Sequence, residues 1–230
     1  MSKQRLVSVI MSTHNSEDTL EESINSILDQ TYLDIEILIM DDGSKDNSNV
    51  ILDRLNTQNK SIKIFRNETN IGLTRSLNIL ISKSRGQYIA RHDADDISYP
   101  ERIGMQMEEI ETKNLDFCST RALIKDSNQK IPGLSYYLPQ KITMKYKNPF
   151  IHGTLLIRKN VLKAVGNYDE NFYYSQDYKL MKDLIDNNYK YSVIKKPLYI
   201  LNMKDNISIK KFDEQEYYAD CVRKNKTPKV

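Results

Sequence analysis

The chain has 230 residues, 39% of them hydrophobic and 28% charged, with a net charge of +3. That length suits one large α/β domain and is short for two, and the near balance of charge gives no reason to expect nucleic acid as a partner. No apolar stretch approaches the ~18 residues of a membrane-spanning helix, and the run Leu6 to Met11 is too short for a signal-peptide core with its cleavage site, so a soluble or peripheral protein is expected. Cys118 and Cys221 fit no metal-ligand spacing, and free thiols in a reduced, cytoplasmic compartment are the expectation.

In chain order, Leu6-Val7-Ser8-Val9-Ile10-Met11 is rich in β-branched residues and nearly continuous in hydrophobicity, as a buried parallel strand is. The polar turn Ser12 to Ser16 follows it. Thr19 to Gln30 then carries Leu20, Ile24, Ile27 and Leu28 at helical spacing, with Glu17, Asp18, Glu21 and Glu22 at its start, where acids complement the helix dipole. A second strand, Ile35 to Met40, runs into Asp41-Asp42-Gly43-Ser44, and a helix is marked by Val50-Ile51-Leu52 and Leu55. A third strand, Ile62 to Phe65, precedes a loop (Asn67 to Gly72) and a helix over Leu73 to Ser82; Tyr88-Ile89-Ala90 is the fourth strand. Strands alternating with helices make βαβ units and a largely parallel sheet, whose ligand edge lies at the strand C-termini.

Beyond Pro100 the pattern predicts a helix over Arg102 to Thr112, a strand over Leu115 to Ile124, a strand over Thr154 to Ile157 and a short helix over Val161 to Val165. An amphipathic helix over Asp177 to Asn187 and two strands, Tyr191 to Ile194 and Leu198 to Leu201, follow. Lys125 to Phe150 has no clear period and is rich in Tyr, Lys and Pro, which predicts loop with one short helix. A last helix is expected over Phe212 to Val222, before a basic tail with Arg223, Lys224, Lys226 and Lys229; such a tail is either a solvated face or a contact to anionic lipid or a partner.

Arg91-His92-Asp93-Ala94-Asp95-Asp96 ends the fourth strand on the ligand edge. At ~4 Å and an effective dielectric of ~20, each like-charged pair of these carboxylates costs about 4 kcal/mol. Solvent, Arg91 with His92, or a bound cation must offset that, and oxygen ligands suit Mg2+ or Mn2+. The alternative is an Asp-rich turn capping the next helix.

The ordered set Val7-Ser8-Val9-Ile10-Met11-Ser12-Thr13-His14-Asn15, Ile39-Met40-Asp41-Asp42-Gly43-Ser44, Asn70-Ile71-Gly72-Leu73 and Gly86 to Asp96 resembles the inverting glycosyltransferases of family 2. His152-Gly153-Thr154-Leu155-Leu156-Ile157-Arg158-Lys159, Gly166-Asn167-Tyr168-Asp169-Glu170 and Gln176-Asp177-Tyr178-Lys179-Leu180 continue the match more loosely, so that it covers roughly residues 5 to 202. The Arg-x-Asp-x-Asp-Asp variant is similar to enzymes that build bacterial capsule or exopolysaccharide.

The resemblance implies a GT-A fold: a Rossmann-like, mostly parallel central sheet flanked by helices, with a smaller mixed portion on the acceptor side. Residues 1–100 would form the nucleotide-sugar-binding half and 101–202 the acceptor half of one domain, with 203–230 as a C-terminal extension. It further implies transfer from a nucleotide-diphosphate sugar, UDP-linked, to the hydroxyl of a glycan or lipid-linked glycan, with Mn2+ or Mg2+ as cofactor and work in the cytoplasm, at the inner face of a membrane. Ser12, Thr13, His14 and Asn15 would contact base and ribose. Asp42 matches the position that accepts the uracil imide hydrogen bond, or else makes an Asx-turn with Gly43. Asp41 falls to structure or a ribose contact. Arg75 serves base or phosphates, or is a solvated helix residue. Asp93 matches the ribose-contacting aspartate, with Ala94 between it and the metal ligand Asp95. Asp96 is a neighbouring carboxylate of that site or a helix cap, and Arg91 and His92 are counter-charges beside it.

Asp177 matches the catalytic base, which takes the acceptor's hydroxyl proton; a plain N-cap is the competing account. Two departures stand out. Gln176 replaces the usual Glu before that Asp, which touches acceptor contacts more than catalysis. Tyr199-Ile200-Leu201-Asn202 lacks the Arg that relatives place after the last strand, so the pyrophosphate contact comes from elsewhere, with Lys204 as a candidate, or is absent. His152, with Thr154, matches an acceptor-side motif, or is a buried hydrogen-bonded histidine. Other classes fit less well. Sugar nucleotidyltransferases carry a Gly-rich loop after the first strand, dinucleotide-dependent oxidoreductases a Gly-x-Gly-x-x-Gly, and neither is present. A nucleotide-sugar-binding subunit without its own catalysis is the remaining alternative.

Overall fold

A computed structural model describes residues 5–204 and 211–229. The elements run β1 (Val7–Thr13), α1 (Leu20–Leu28), β2 (Ile35–Asp41), α2 (Ser48–Gln58), β3 (Ile62–Arg66), α3 (Leu73–Lys83), β4 (Tyr88–Arg91), β5 (Ile97–Ser98), α4 (Arg102–Lys113), β6 (Phe117–Ile124), β7 (Lys130–Ile131), α5 (Gln140–Thr143), β8 (Leu156–Arg158), α6 (Lys159–Ala164), α7 (Gln176–Asp186), β9 (Tyr191–Leu201) and α8 (Phe212–Arg223). Short 3-10 turns lie at Leu134–Tyr137 and His152–Thr154.

The described strands join one sheet in the order β3-β2-β1-β4-β8-β6-β9-β5, with β7 paired to β6. The four N-terminal strands are mutually parallel, as the alternation of strand and helix predicts. Beyond β4 the sheet is mixed: β8 is antiparallel to both β4 and β6, while β9 is parallel to β6.

Alternation along each strand divides the core between the two faces. Val7, Val9 and Met11 of β1 and Ile37 and Ile39 of β2 pack with Leu20 and Ile24 of α1, Leu52 of α2, and Ile103, Met107 and Ile110 of α4. Ile10, Leu38 and Met40 face the other way, with Leu77, Leu80 and Ile81 of α3 and Leu180, Met181 and Leu184 of α7. On that second face Glu36 is buried. Its carboxylate accepts from Ser8 Oγ (2.7 Å), Arg85 N (2.6 Å), Arg85 Nε (2.8 Å) and Lys63 Nζ (3.2 Å). Burial opposes its charge, but these donors prevail and hold its pKa at about 2, below the ordinary 4.5. Ser8 Oγ in turn accepts from Gly86 N, fixing the entry to β4.

Two expectations are corrected. The two predicted C-terminal strands are one, β9, because the exposed pair Lys195–Lys196 bulges out where the register to β6 jumps, and Pro197 resumes the pairing. The aperiodic Lys125 to Phe150 holds a strand and a 3-10 turn besides its short helix. The helix at the C-terminus does form, and its Cys221 and Val222 join the core beside α7. The basic tail is partly neutralised at the end of α8, where Arg223 and the following Lys224 both pair with Asp220. No helix of the described residues is long and apolar enough to cross a membrane.

Candidate active site

The loops after β1, β2 and β4 meet at one edge of the sheet. Asn15, in a left-handed conformation (φ 52°), takes its N–H to Ser44 Oγ (3.0 Å), and its side-chain oxygen accepts from Lys45 N (2.7 Å). His14 Nδ1 donates to the Asp42 carbonyl (2.9 Å), which leaves Nε2 to accept from Asn15 Nδ2 (3.1 Å). His14 and Asn15 are exposed and Ser12 is half-buried; Thr13 is buried, and its hydroxyl has no hydrogen-bond partner among the described residues. The first loop is thus a polar ledge tied to the second.

The Asx-type turn expected of Asp42 is made by Asp41, whose Oδ1 accepts from Ser44 N (3.0 Å). Asp42 is buried and reaches the next loop: it accepts from Asn67 Nδ2 (2.8 Å), Ile71 N (3.0 Å) and Gly72 N (2.9 Å). A carboxylate has about four acceptor sites, so one stays open to a ligand N–H. Gly43 (φ 75°) permits this close packing, since a Cβ there would lie 2.8 Å from Asn70 N. Arg75 is exposed and pairs with Glu170 (3.6 Å).

At the end of β4 the three carboxylates separate. Asp93 is ion-paired with the fully buried Arg91, whose other amino group reaches the Ile10 carbonyl (3.5 Å). The backbone of the stretch is clamped from α1 and the turn before it. Ser23 Oγ donates to the Asp93 carbonyl (2.8 Å), and Thr19 Oγ1 to the Ala94 carbonyl (3.1 Å). Asp96 is buried, not a helix cap: its Oδ1 accepts from Asn202 N (2.7 Å), and Tyr199 hydrogen-bonds it as well. Burial, then the charges of Asp93 and Asp95, raise the Asp96 pKa to about 8. Asp95 is half-buried, accepts no side-chain hydrogen bond from another described residue, and is raised to about 6, by burial first and Asp93 second. The repulsion inferred from the sequence therefore falls chiefly on Asp95 and Asp96. His92 is buried between Ser23 and Ser98 (3.0 and 3.2 Å) and burial depresses its pKa, so it is a neutral spacer, not a counter-charge.

Among the described residues no group of three or more His, Cys, Asp or Glu side chains is gathered to hold a metal ion. The donor set nevertheless fits a hard cation of the Mg2+ type, which takes one or two carboxylates and completes its shell with water and substrate phosphates. Asp95 has the oxygens available. Exposed Lys204 is joined to this group through Asn202: its backbone N–H donates to Asn202 Oδ1 (3.0 Å), while Asn202 N donates to Asp96.

Facing it is the start of α7. Ser175 holds the N-cap position in a left-handed conformation (φ 54°), Gln176 is the buried first residue, and Asp177 lies within the first turn. The capping account of Asp177 therefore fails; its Oδ2 accepts instead from Asn148 Nδ2 (2.8 Å). His152 and Tyr168 are hydrogen-bonded to each other (2.7 Å). Burial and then Arg91 depress His152, while Asp177 and Asp93 pull it the other way, which puts this pair within electrostatic reach of both the β4 end and α7. Thr154 is buried and structural, bonded to Ser119 Oγ and Ile151 O.

Sequence reasoning missed the supports. Arg102, fully buried, donates to the carbonyls of Arg91 (3.1 Å) and Gly153 (2.6 Å) and lies 5.2 Å from the Tyr199 ring centre. Tyr199 Oη accepts from Asp93 N (3.0 Å). A Cβ on Gly153 would lie 2.4 Å from Tyr199 Oη and 2.7 Å from Asp93 Oδ2. Asn148 falls in the aperiodic segment. None of the four had a local signal, except that Gly153 sits in the His152-Gly153-Thr154 motif.

A Rossmann-like sheet, an acidic stretch at a parallel strand's end and a carboxylate on a helix start across from it define a glycosyltransferase of the GT-A class. The model of "Glycosyl transferase family 2" matches residues 8–189, and the chain belongs to that family. Among its relatives, the uncharacterized glycosyltransferase MJ1057 of Methanocaldococcus jannaschii is 33% identical over 93% of this chain and 78% of its own length. An Escherichia coli protein, UDP-Glc:alpha-D-GlcNAc-diphosphoundecaprenol beta-1,3-glucosyltransferase WfgD, is 30% identical over 80% of this chain and 71% of its own. Staphylococcus aureus TarS 1-349, solved in complex with UDP-GlcNAc, superposes with a TM-score of 0.78 at 20% identity, covering 97% of this chain and 68% of that one, which shows the shared fold.

Proposed function

We propose that this glycosyltransferase moves a sugar from a nucleotide-diphosphate sugar, UDP-linked, to an acceptor hydroxyl with inversion, in the synthesis of a bacterial surface glycan. The observation that carries this reading is Asp177: a carboxylate in the first turn of a rigid helix, released from capping and aimed by Asn148, across the His152–Tyr168 pair from Arg91 and Asp93. The activity for which WfgD is named supports a UDP-linked donor and a lipid-diphosphate acceptor.

In this reading the ledge Ser12 to Asn15 and Asp42 hold the base and ribose, with Asp93 on the ribose side and Arg75 and Lys204 as cations for the phosphates. Asp95 would hold a divalent cation, Mn2+ or Mg2+, which would offset the charge that develops on the departing diphosphate. Asp177 takes the acceptor's hydroxyl proton as that oxygen bonds to the anomeric carbon; the carbon–diphosphate oxygen bond breaks and the nucleoside diphosphate leaves. One in-line displacement inverts the anomeric configuration. His152 and Gln176 border the acceptor, and Asp96 and Arg102 keep the β4 end in place. The work is assigned to the cytoplasmic face of the membrane, where nucleotide sugars are made.

The test is a thermal-shift screen of UDP- and GDP-sugars with and without Mn2+. At ligand about 100-fold above Kd, the stabilisation is about 2.7 kcal/mol, or roughly 5–10 °C for a chain of this size. It should require nucleotide and metal together and vanish in Asp95→Asn. No response to any UDP-sugar, or an undiminished response in Asp95→Asn, would overturn the assignment.

A further inference from the structure

Five of the ten large hydrophobic side chains exposed among the described residues fall within one short interval: Leu134, Tyr137, Leu138, Ile142 and Tyr146, at 53 to 87% exposure. The backbone turns helically from Pro139 to Lys147, so Ile142 and Tyr146, four residues apart, share one outward face, and exposed Leu134, Tyr137 and Leu138 lie in the turn that leads into it. The inward face is fixed: Thr143 and Met144 are buried, and Tyr178 Oη donates to the Met144 carbonyl (2.6 Å). The segment is therefore held in place, with its apolar side turned to solvent.

Its charge is one-sided. No Asp or Glu occurs between Asp126 and Asp169. Lys141, Lys145 and Lys147 flank the apolar row and are exposed; Lys141 reaches only the neutral Asn188, and neither Lys145 nor Lys147 has a side-chain partner among the described residues. Arg223 Nη1 bonds the Tyr146 carbonyl (3.3 Å), which brings the basic end of α8 alongside. Apolar and aromatic side chains interleaved with unpaired lysines are what an anionic bilayer interface binds, the rings and aliphatics entering the headgroup layer and the lysines meeting its phosphates.

We propose that Leu134–Lys147 is a docking surface for an anionic phospholipid membrane. This goes beyond the transfer reading but bears on it. The segment leads directly into Asn148, which holds Asp177, so docking would set the acceptor side of the site at the membrane surface. The basic tail, for which a solvated face and a lipid contact were the two alternatives, contributes less here, because Arg223 and Lys224 are already paired with Asp220 and Glu216.

The test is co-sedimentation with vesicles of phosphatidylcholine alone or mixed equally with phosphatidylglycerol, at low and high salt. No sugar donor is needed, so its outcome is independent of the transfer assignment. Binding is expected only to the anionic vesicles and should weaken with salt. The variant K141Q/K145Q/K147Q should lower the partition coefficient by more than about tenfold, as should L138S/I142S/Y146S, each melting near wild type because the changed side chains are exposed. The tail variant K226Q/K229Q should change it much less. No sedimentation with anionic vesicles would overturn the proposal. So would wild-type binding by both patch variants, or light scattering that shows the patch closing a dimer while vesicles are ignored.

Discussion

Asp42 offers the sharpest prediction, because its three hydrogen bonds tie the β2 end to the loop that starts α3. In Asp42→Asn the amide keeps one acceptor oxygen and turns its NH2 toward a donor. With the oxygen left facing Asn67 and Ile71, Gly72 N–H loses the carboxylate and keeps only Asn70 Oδ1 at 3.0 Å. One hydrogen bond to a charged group is lost and two are weakened, at about 1.5–3 kcal/mol for a full loss. The expected total is about 2–4 kcal/mol, roughly 5–15 °C in melting temperature for a chain of this size. Urea unfolding measures the first quantity and calorimetric titration with UDP the nucleotide affinity, which should also fall. An unchanged unfolding midpoint beside a lost affinity would refute the reasoning: the carboxylate would then be a ligand group without the tethering role.

Two further outcomes follow from the packing. Gly153→Ala forces a methyl against Tyr199 Oη and Asp93 Oδ2; it should cost about 1–3 kcal/mol in unfolding experiments and most of the transfer activity, and full activity would contradict the placement of Tyr199 beside Asp93. Glu36 has a folded pKa of about 2 against 4.5, so its contribution of about 3 kcal/mol is complete above pH 4.5 and is lost as pH falls toward 2. Glu36→Gln should therefore be destabilised at pH 7, with the gap to wild type closing over that acid range in urea melts; a gap independent of pH would mean that the charge is not what its four donors stabilise.

Much of the N-terminal half was legible because each of its strands is a short apolar run bounded by polar turns, and each helix shows a 3.6-residue stripe. The mixed half was read less well. β9 carries Lys195, Lys196 and Pro197 in its middle, which by composition separates two strands, and only the pairing with β6 joins them. Within the site, the Asp93–Asp96 stretch was visible as a cost, since adjacent carboxylates repel wherever they are placed. Its supports were not. Arg102, Tyr199 and Gly153 reach it across the fold, and a buried arginine that holds two carbonyls looks in sequence like any helix-start arginine. The aperiodicity of Lys125 to Phe150 hid a face that is apolar on the outside, because burial was the only guide to which leucines and tyrosines lay within.

The central claim rests on Asp177, and Asp177→Asn tests it most directly when nucleotide-sugar binding and transfer are measured separately on the same preparation. The side chain keeps its size and its neighbour Asn148 but can no longer take a proton. Donor binding should stay at wild-type strength while transfer falls by about 10²–10⁴-fold. Transfer near the wild-type rate would contradict the account, and the base would have to be sought elsewhere around His152.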